Sequence, residues 1–327
     1  LIRRPGAGIA IVITHHIAAA FLHKKRGMDI RELDLTAYSA AKPASPVDLL
    51  FIHDSAGGEL MANPGRTIGE SDILRSHPNG GGLRTLLSQN NYVTHEAAKG
   101  SKIAAGTNVC QWNRRFRDQM KRILATRHQD KLFSDGTRNR VVMFQSASSA
   151  SWIEEEGTGP GNPDSWKKTV ANYKAAYTAL LNHFLKEPDT LFVALTAPPL
   201  VRPDSTKGII GRILGKPDQA SIEEVGKRIR SFNNWLKHFY SGWLSNYPLM
   251  NVVVFDYYDI LTGDGVSNWL RYPSTIGRRD HPSAEGNALA AQRFVPFLNR
   301  AMNRMAEQKS PFFTGRPYLS ADKAAAR

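Results

Sequence analysis

Cysteine is almost missing. Cys110 is the only one in 327 residues, so no disulfide can staple this chain. A packed core must hold the fold instead, and 41% hydrophobic residues with 9% aromatics can supply one. A single thiol leaves the compartment open, because secreted bacterial proteins often carry few cysteines. The ten histidines show no His-Glu-x-x-His or related spacing, which argues against a bound metal. Asn79-Gly80-Gly81-Gly82 lacks a Gly-Lys-Ser/Thr ending and follows no strong strand, so it reads as a flexible loop rather than a phosphate loop. Internal repeats, zinc-finger spacing and an aromatic RNA-binding signature are also missing.

Acidic residues are scarce. Asp and Glu total 29 against 43 Lys and Arg, a net charge of +14. Such a balance suits nucleic acid, an anionic membrane surface or an acidic polysaccharide. Here the basic pairs are scattered (Lys121-Arg122, Lys167-Lys168, Lys227-Arg228, Arg278-Arg279) and form no block. They read as a generally basic surface, and nucleic acid is not the expected partner. No apolar run reaches the roughly 20 residues a spanning helix needs. Residues 7–22 come nearest, flanked by Arg3-Arg4 and Lys24-Lys25-Arg26 and interrupted by His15-His16. They fit a signal peptide cleaved near Ala18-Ala19-Ala20, or a membrane anchor; an ordinary packed helix is the alternative. The expectation is a secreted, periplasmic or membrane-anchored protein. The chain divides into this segment (1–26), a linker (27–46), one domain (47–305) and a polar tail (306–327).

Five β-rich apolar runs are present: Val47 to His53, Tyr92 to His95, Arg140 to Gln145, Thr190 to Thr196, and Asn251 to Asp256. Helical periodicity lies between and after them, over Leu83 to Ser88, Trp112 to Thr126, Asp164 to Lys186, Ser221 to Leu244 and Ser283 to Met305. Ser221-x-x-Glu224 reads as a capping box, and Pro296 should kink the last helix. Strands alternating with helices predict a three-layer α/β/α, flavodoxin-like fold around a mainly parallel five-stranded sheet.

The first run stops abruptly in His53-Asp54-Ser55, with Gly57-Gly58 beyond. A serine there sits at the carboxyl edge of the sheet, where nucleophiles of α/β proteins gather. It is equally well placed to cap a helix. A serine hydroxyl needs a base to take its proton, and an oxyanion hole for the charge that develops. His281, between the fifth strand and the last helix, is the best base; a loop histidine in a capping turn is the alternative.

Several blocks, in this order and spacing, resemble the SGNH (GDSL-like) hydrolases. They are Phe51-Ile52-His53-Asp54-Ser55-Ala56-Gly57-Gly58; Thr107 to Asn113 with Phe116-Arg117-Asp118; Leu191 to Leu200; Phe255 to Thr262; and Asp280-His281-Pro282-Ser283 with Gly286-Asn287. The resemblance implies hydrolysis of esters, often acetyl groups on carbohydrates, without a cofactor. It makes Ser55 the nucleophile, His281 the base and Asp280 the acid. It gives the oxyanion to the Ser55 amide and to Gly100 or Gly106. Two departures stand out. The family's Asp-x-x-His has Arg278 in the aspartate's place, and neighbours such as Asp280 and His281 point apart in extended chain. Asp256 or Asp259 would then be the alternative acid. The family's oxyanion asparagine falls near Ala150, leaving Ser149 or Ser151 as weak substitutes. His53 and Trp152 are candidate substrate contacts, although Trp152 also reads as a plug over the core.

Overall fold

Ten strands form among the described residues, which are 34–203, 219–238, 241–276 and 280–308 of this computed structural model. They are β1 (Val47–Ile52), β2 (Asn63–Pro64), β3 (Ile68–Glu70), β4 (Ile73–His77), β5 (Tyr92–Ala97), β6 (Thr126–His128), β7 (Lys131–Leu132), β8 (Val141–Gln145), β9 (Leu191–Leu195) and β10 (Val252–Phe255). Seven α-helices accompany them among the same residues: α1 (Ser55–Met61), α2 (Leu83–Gln89), α3 (Val109–Ala125), α4 (Val170–Phe184), α5 (Gln219–Lys237), α6 (Tyr257–Leu261) and α7 (Ala284–Gln308).

The main sheet runs β10-β9-β8-β1-β5-β6-β7. All pairs from β10 to β6 are parallel, and β7 returns antiparallel on β6. The expected five strands are all present as its parallel core; the short β6–β7 hairpin raises the total to seven. Alternation along the strands divides the core. Leu50, Ile52, Val142, Phe144 and Phe192 face α3, α4 and α5, whereas Leu49, Phe51, Val141, Met143 and Val193 face α2 and α7. The result is the predicted three-layer arrangement. Because the chain goes from β1 to β5 on one side and to β8 on the other, the order reverses at β1, which opens a crevice at the carboxyl ends of β1 and β8.

Several expectations are corrected. Asn79-Gly80-Gly81-Gly82 is packed rather than flexible. A Cβ at Gly80 would lie 2.3 Å from the Asn63 carbonyl oxygen, and one at Gly81 would lie 2.8 Å from those of Asn287 and Leu60. α5 is already helical at Gln219, so Ser221 lies inside it and is not its cap. It ends at Lys237, short of the expected Leu244, and Phe239 within that span lies outside the described residues. α4 begins at Val170, where Thr169 caps it by accepting from the Asn172 N–H. α7 runs through Pro296 as one element. Pro296 and Gln292, whose carbonyl loses its partner there, are both exposed, so water can satisfy that carbonyl.

Residues 34–46 are bonded to the domain: Asn299, Arg300 and Asn303 of α7 donate to the carbonyls of Ala40, of Thr36 and Tyr38, and of Ser39 and Ala41. The apolar stretch 7–22 and residues 309–327 of the tail lie outside the described residues. Among the described residues, no helix is long and apolar enough to cross a membrane.

Phe116 sits at the centre of one core layer, with the rings of Phe144, Phe184 and Phe192 at 5.2, 4.9 and 6.0 Å, all near edge-on. Phe116→Ala should therefore cost about 3–5 kcal/mol of stability, read as a lower urea midpoint with an unchanged slope.

Candidate active site

β1 delivers the chain to the crevice, and Asp54 leaves it in extended conformation before α1 starts at Ser55. α1 contains two consecutive glycines because it lies directly on the strand end. A Cβ at Gly57 would come within 2.4 Å of His53 Cβ, and one at Gly58 within 2.0 Å of the Asp72 carbonyl oxygen. Asp72 belongs to a small sheet, β2-β4-β3, built between α1 and α2. Its tight turn at Ser71-Asp72 has positive φ at both residues (53° and 66°), the twist a two-residue hairpin favours.

One turn of α1 separates Ser55 from Glu59, so their side chains share a face. His281 lies against that face. Its Nε2 is 3.2 Å from Ser55 Oγ, and its Nδ1 is 2.7 Å from Glu59 Oε1. A carboxylate only accepts, so Nδ1 carries the hydrogen and Nε2 presents its lone pair to the serine hydroxyl. His281 and Glu59 are buried, at 2% and 5% exposure, which shields the pair from solvent screening. His281 arrives on an antiparallel bridge between Pro273 and Pro282, where Ser274 N–H donates to the His281 carbonyl and Ser283 N–H to that of Tyr272. Ser283 then caps α7 weakly, accepting from the Gly286 N–H at 3.4 Å.

A buried carboxylate needs more than one partner. Asn79 Nδ2 donates to Glu59 Oε2 at 3.2 Å. Asn79 is itself held by the Ser274 hydroxyl at its Oδ1 and by Asn287 Nδ2 at its carbonyl, and Tyr257 donates to Asn287 Oδ1. His77 Nδ1 comes within 3.8 Å of Glu59, but it accepts the Asn79 N–H at 3.1 Å and so has no proton for the carboxylate.

The carboxylate that faces His281 Nδ1 is therefore none of the expected ones. Asp280 is the sequence neighbour of His281, yet Nδ1 faces Glu59. Asp256 caps α6 through the Asp259 N–H and pairs with Lys237, and Asp259 pairs with Arg230. Arg278 lies outside the described residues.

Ser151 is corrected as an oxyanion donor, because its hydroxyl is spent on the Pro198 carbonyl at 2.8 Å. Ser149 is exposed in the same 3-10 turn, which also holds the buried Ala150. Gly100 and Gly106 occupy exposed turns past β5 with φ of 97° and 75°. Trp152 is partly buried against Ile222, Val225 and Trp269, which favours its role as a plug.

His53 is corrected as a substrate contact. It is fully buried, and both ring nitrogens are engaged: Nδ1 lies 2.8 Å from the Asp54 carbonyl and Nε2 3.2 Å from Glu96 Oε2. Arg84 grips the other oxygen of Glu96 through Nε and Nη2. Two further polar groups at this edge are buried and, among the described residues, unbonded: Asp54 Oδ1 and both amide atoms of Gln145, at the end of β8. Burial raises the Asp54 carboxyl above its ordinary range, against the opposing charges of His53 and His281. Among the described residues, no cluster of three or more His, Cys, Asp or Glu side chains is placed to hold a metal ion.

No protein-family model and no curated protein matches the sequence. Among solved structures, several align with most of this chain at low identity. Axe2, an acetylxylan esterase from Geobacillus stearothermophilus, is 14% identical, with 80% of this chain and 96% of that chain covered and a TM-score of 0.40. A family 2 carbohydrate esterase with a carbohydrate-binding domain, from Corynascus thermopiles (Myceliophthora fergusii), gives 14%, 80% and 68%, and 0.38. A family two carbohydrate esterase from Clostridium thermocellum in complex with cellohexaose gives 14%, 80% and 66%, and 0.37. Likeness at this level carries no argument, and the chemistry of the site rests on its own distances.

Burial alone would raise the Glu96 carboxyl, but hydrogen bonds and charge from His53 and Arg84 outweigh it and hold the group below its ordinary range near 4.5. A carboxyl depressed in the folded state stabilises the fold above its unfolded value and loses that contribution as acid protonates it. The urea midpoint should therefore fall as pH drops below about 4.5, and Glu96→Gln should flatten that part of the profile.

Proposed function

We propose that this protein is a serine esterase of the SGNH type that cleaves acyl esters, with O-acetylated carbohydrate as the substrate class. The observation that carries the reading is the unbroken run from Ser55 Oγ through His281 to buried Glu59. Ser55 attacks the ester carbonyl while His281 Nε2 takes its proton. The tetrahedral intermediate collapses as Nε2–H protonates the departing alcohol, leaving an acyl-serine. Water then attacks that ester with His281 again as base, releasing the acid and restoring the serine. Glu59 accepts from Nδ1–H and stabilises the imidazolium formed in each half-reaction. The oxyanion is assigned to the Ser55 N–H, which has no i−4 carbonyl at the helix start, with Gly100 or Gly106 as the second donor. No cofactor enters these steps. The apolar stretch 7–22 fits delivery to a compartment where acylated polysaccharide occurs.

Ala150 near the position of the family's oxyanion asparagine favours one second reading: a module that keeps the fold and binds glycan without turnover. A fluorophosphonate probe separates the two. The esterase reading expects Ser55 to be labelled and p-nitrophenyl acetate to be hydrolysed, with both lost in Ser55→Ala. Glycan binding by an unlabelled wild-type protein would support the module instead.

The acid is tested separately. Glu59→Gln should lower kcat by roughly 10³–10⁴, the scale set by an acid that fixes the histidine tautomer. Asp280→Asn should stay within a few-fold of wild type. The reverse order in steady-state kinetics would return the acid to Asp280.

A further inference from the structure

The buried network beneath α1 takes no part in the proton transfers above. We infer that His53 donates from both ring nitrogens, and that it supports the first turn of α1 from below and lends positive charge to the reacting centre. The protonation state stands on geometry alone; the catalytic consequence rests on the esterase reading.

A neutral imidazole has one N–H and one lone pair. His53 faces an acceptor at each nitrogen, the Asp54 carbonyl at 2.8 Å and the Glu96 carboxylate at 3.2 Å. Either neutral tautomer would set a lone pair against an oxygen in a site with 0% exposure. Only the doubly protonated ring satisfies both contacts, and burial raises the cost of leaving one unmade. The ionised state of Glu96, held by Arg84 as well as His53, supplies the counter-charge. With His53 and Arg84 positive and Glu96 negative, these three side chains alone sum to one positive charge beneath the nucleophile.

Its position gives that charge a use. The ring lies under the glycine pair of α1: a Cβ at Gly57 would meet His53 Cγ at 2.9 Å, and one at Gly58 would meet Cε1 at 3.6 Å. The Asp54 carbonyl bonded by Nδ1 belongs to the peptide that joins Asp54 to Ser55. The same hydrogen bond therefore orients the Ser55 N–H, which is the proposed oxyanion donor. The other titratable groups around this turn are the carboxyls of Asp54, Asp72 and Glu59 and the His281 imidazole, whose Nε2 keeps its lone pair at rest. A preorganised cation near a developing oxyanion stabilises it without reorganising during the reaction.

Two measurements test this. In nitrogen-edited NMR of the unaltered protein at pH 7.5, both His53 ring nitrogens should carry a hydrogen. A bare ring nitrogen at that pH overturns the inference. This arm needs neither activity nor a variant, so it decides the protonation state even if fluorophosphonate labelling fails and the esterase reading falls. The second arm is kinetic. His53→Gln, or His53→Asn if the first does not fold, should lower kcat for p-nitrophenyl acetate roughly ten- to hundredfold, with KM within about twofold. An unchanged kcat in a folded variant would overturn the catalytic consequence, and a change confined to KM would do the same.

Discussion

The hydrogen bond between His281 and Glu59 is the constraint around which this site is arranged. It joins a buried imidazole to a buried carboxylate at 2.7 Å, and neither has water to fall back on. Breaking such a pair strands a charge in the interior, at a cost well above that of a surface ion pair. The surroundings follow from that. Asn79 serves the second carboxylate oxygen, and the packed glycines after it hold Asn79 in place. Ser274 both bridges to the His281 backbone and bonds the Asn79 amide, so the loop carrying His281 and the loop supporting Glu59 share a residue.

A second constraint is the closeness of α1 to the end of β1. Seven residues make a weak helix, and two glycines make it weaker. Tertiary packing has to supply what propensity lacks. The glycines admit His53 and Asp72 to within contact of the helix backbone, and the helix gains a floor in return. Ser55 and Glu59 then stand in a fixed relation set by helical pitch rather than by a flexible loop.

Much of the frame was legible in the sequence. The five core strands announce themselves as short β-rich runs because they are buried on both faces, and their order among helices dictates the parallel sheet. Ser55 and His281 were legible from where they fall relative to those elements. Glu59 was not. Its role depends on α1, and a segment with Gly57-Gly58 shows no helical periodicity to place residue 59 over residue 55. Asp280 is the nearest match to the family's acid by position, and adjacency to His281 along extended chain is poor evidence of contact. The β2–β4 sheet escaped notice for a related reason: its strands are short and largely exposed, so they carry little apolar alternation. Asn79 looked like part of a loose loop because the carbonyls that crowd Gly80 and Gly81 come from remote segments.

Ser55 and Glu59 lie four residues apart on one helix turn, while His281 is 226 residues from the serine along the chain. The three side chains meet only when α7 and the bridge before it close onto α1. Their contact is therefore a sensitive report on completed folding, more so than the spectroscopic signature of a sheet that needs nothing after β10.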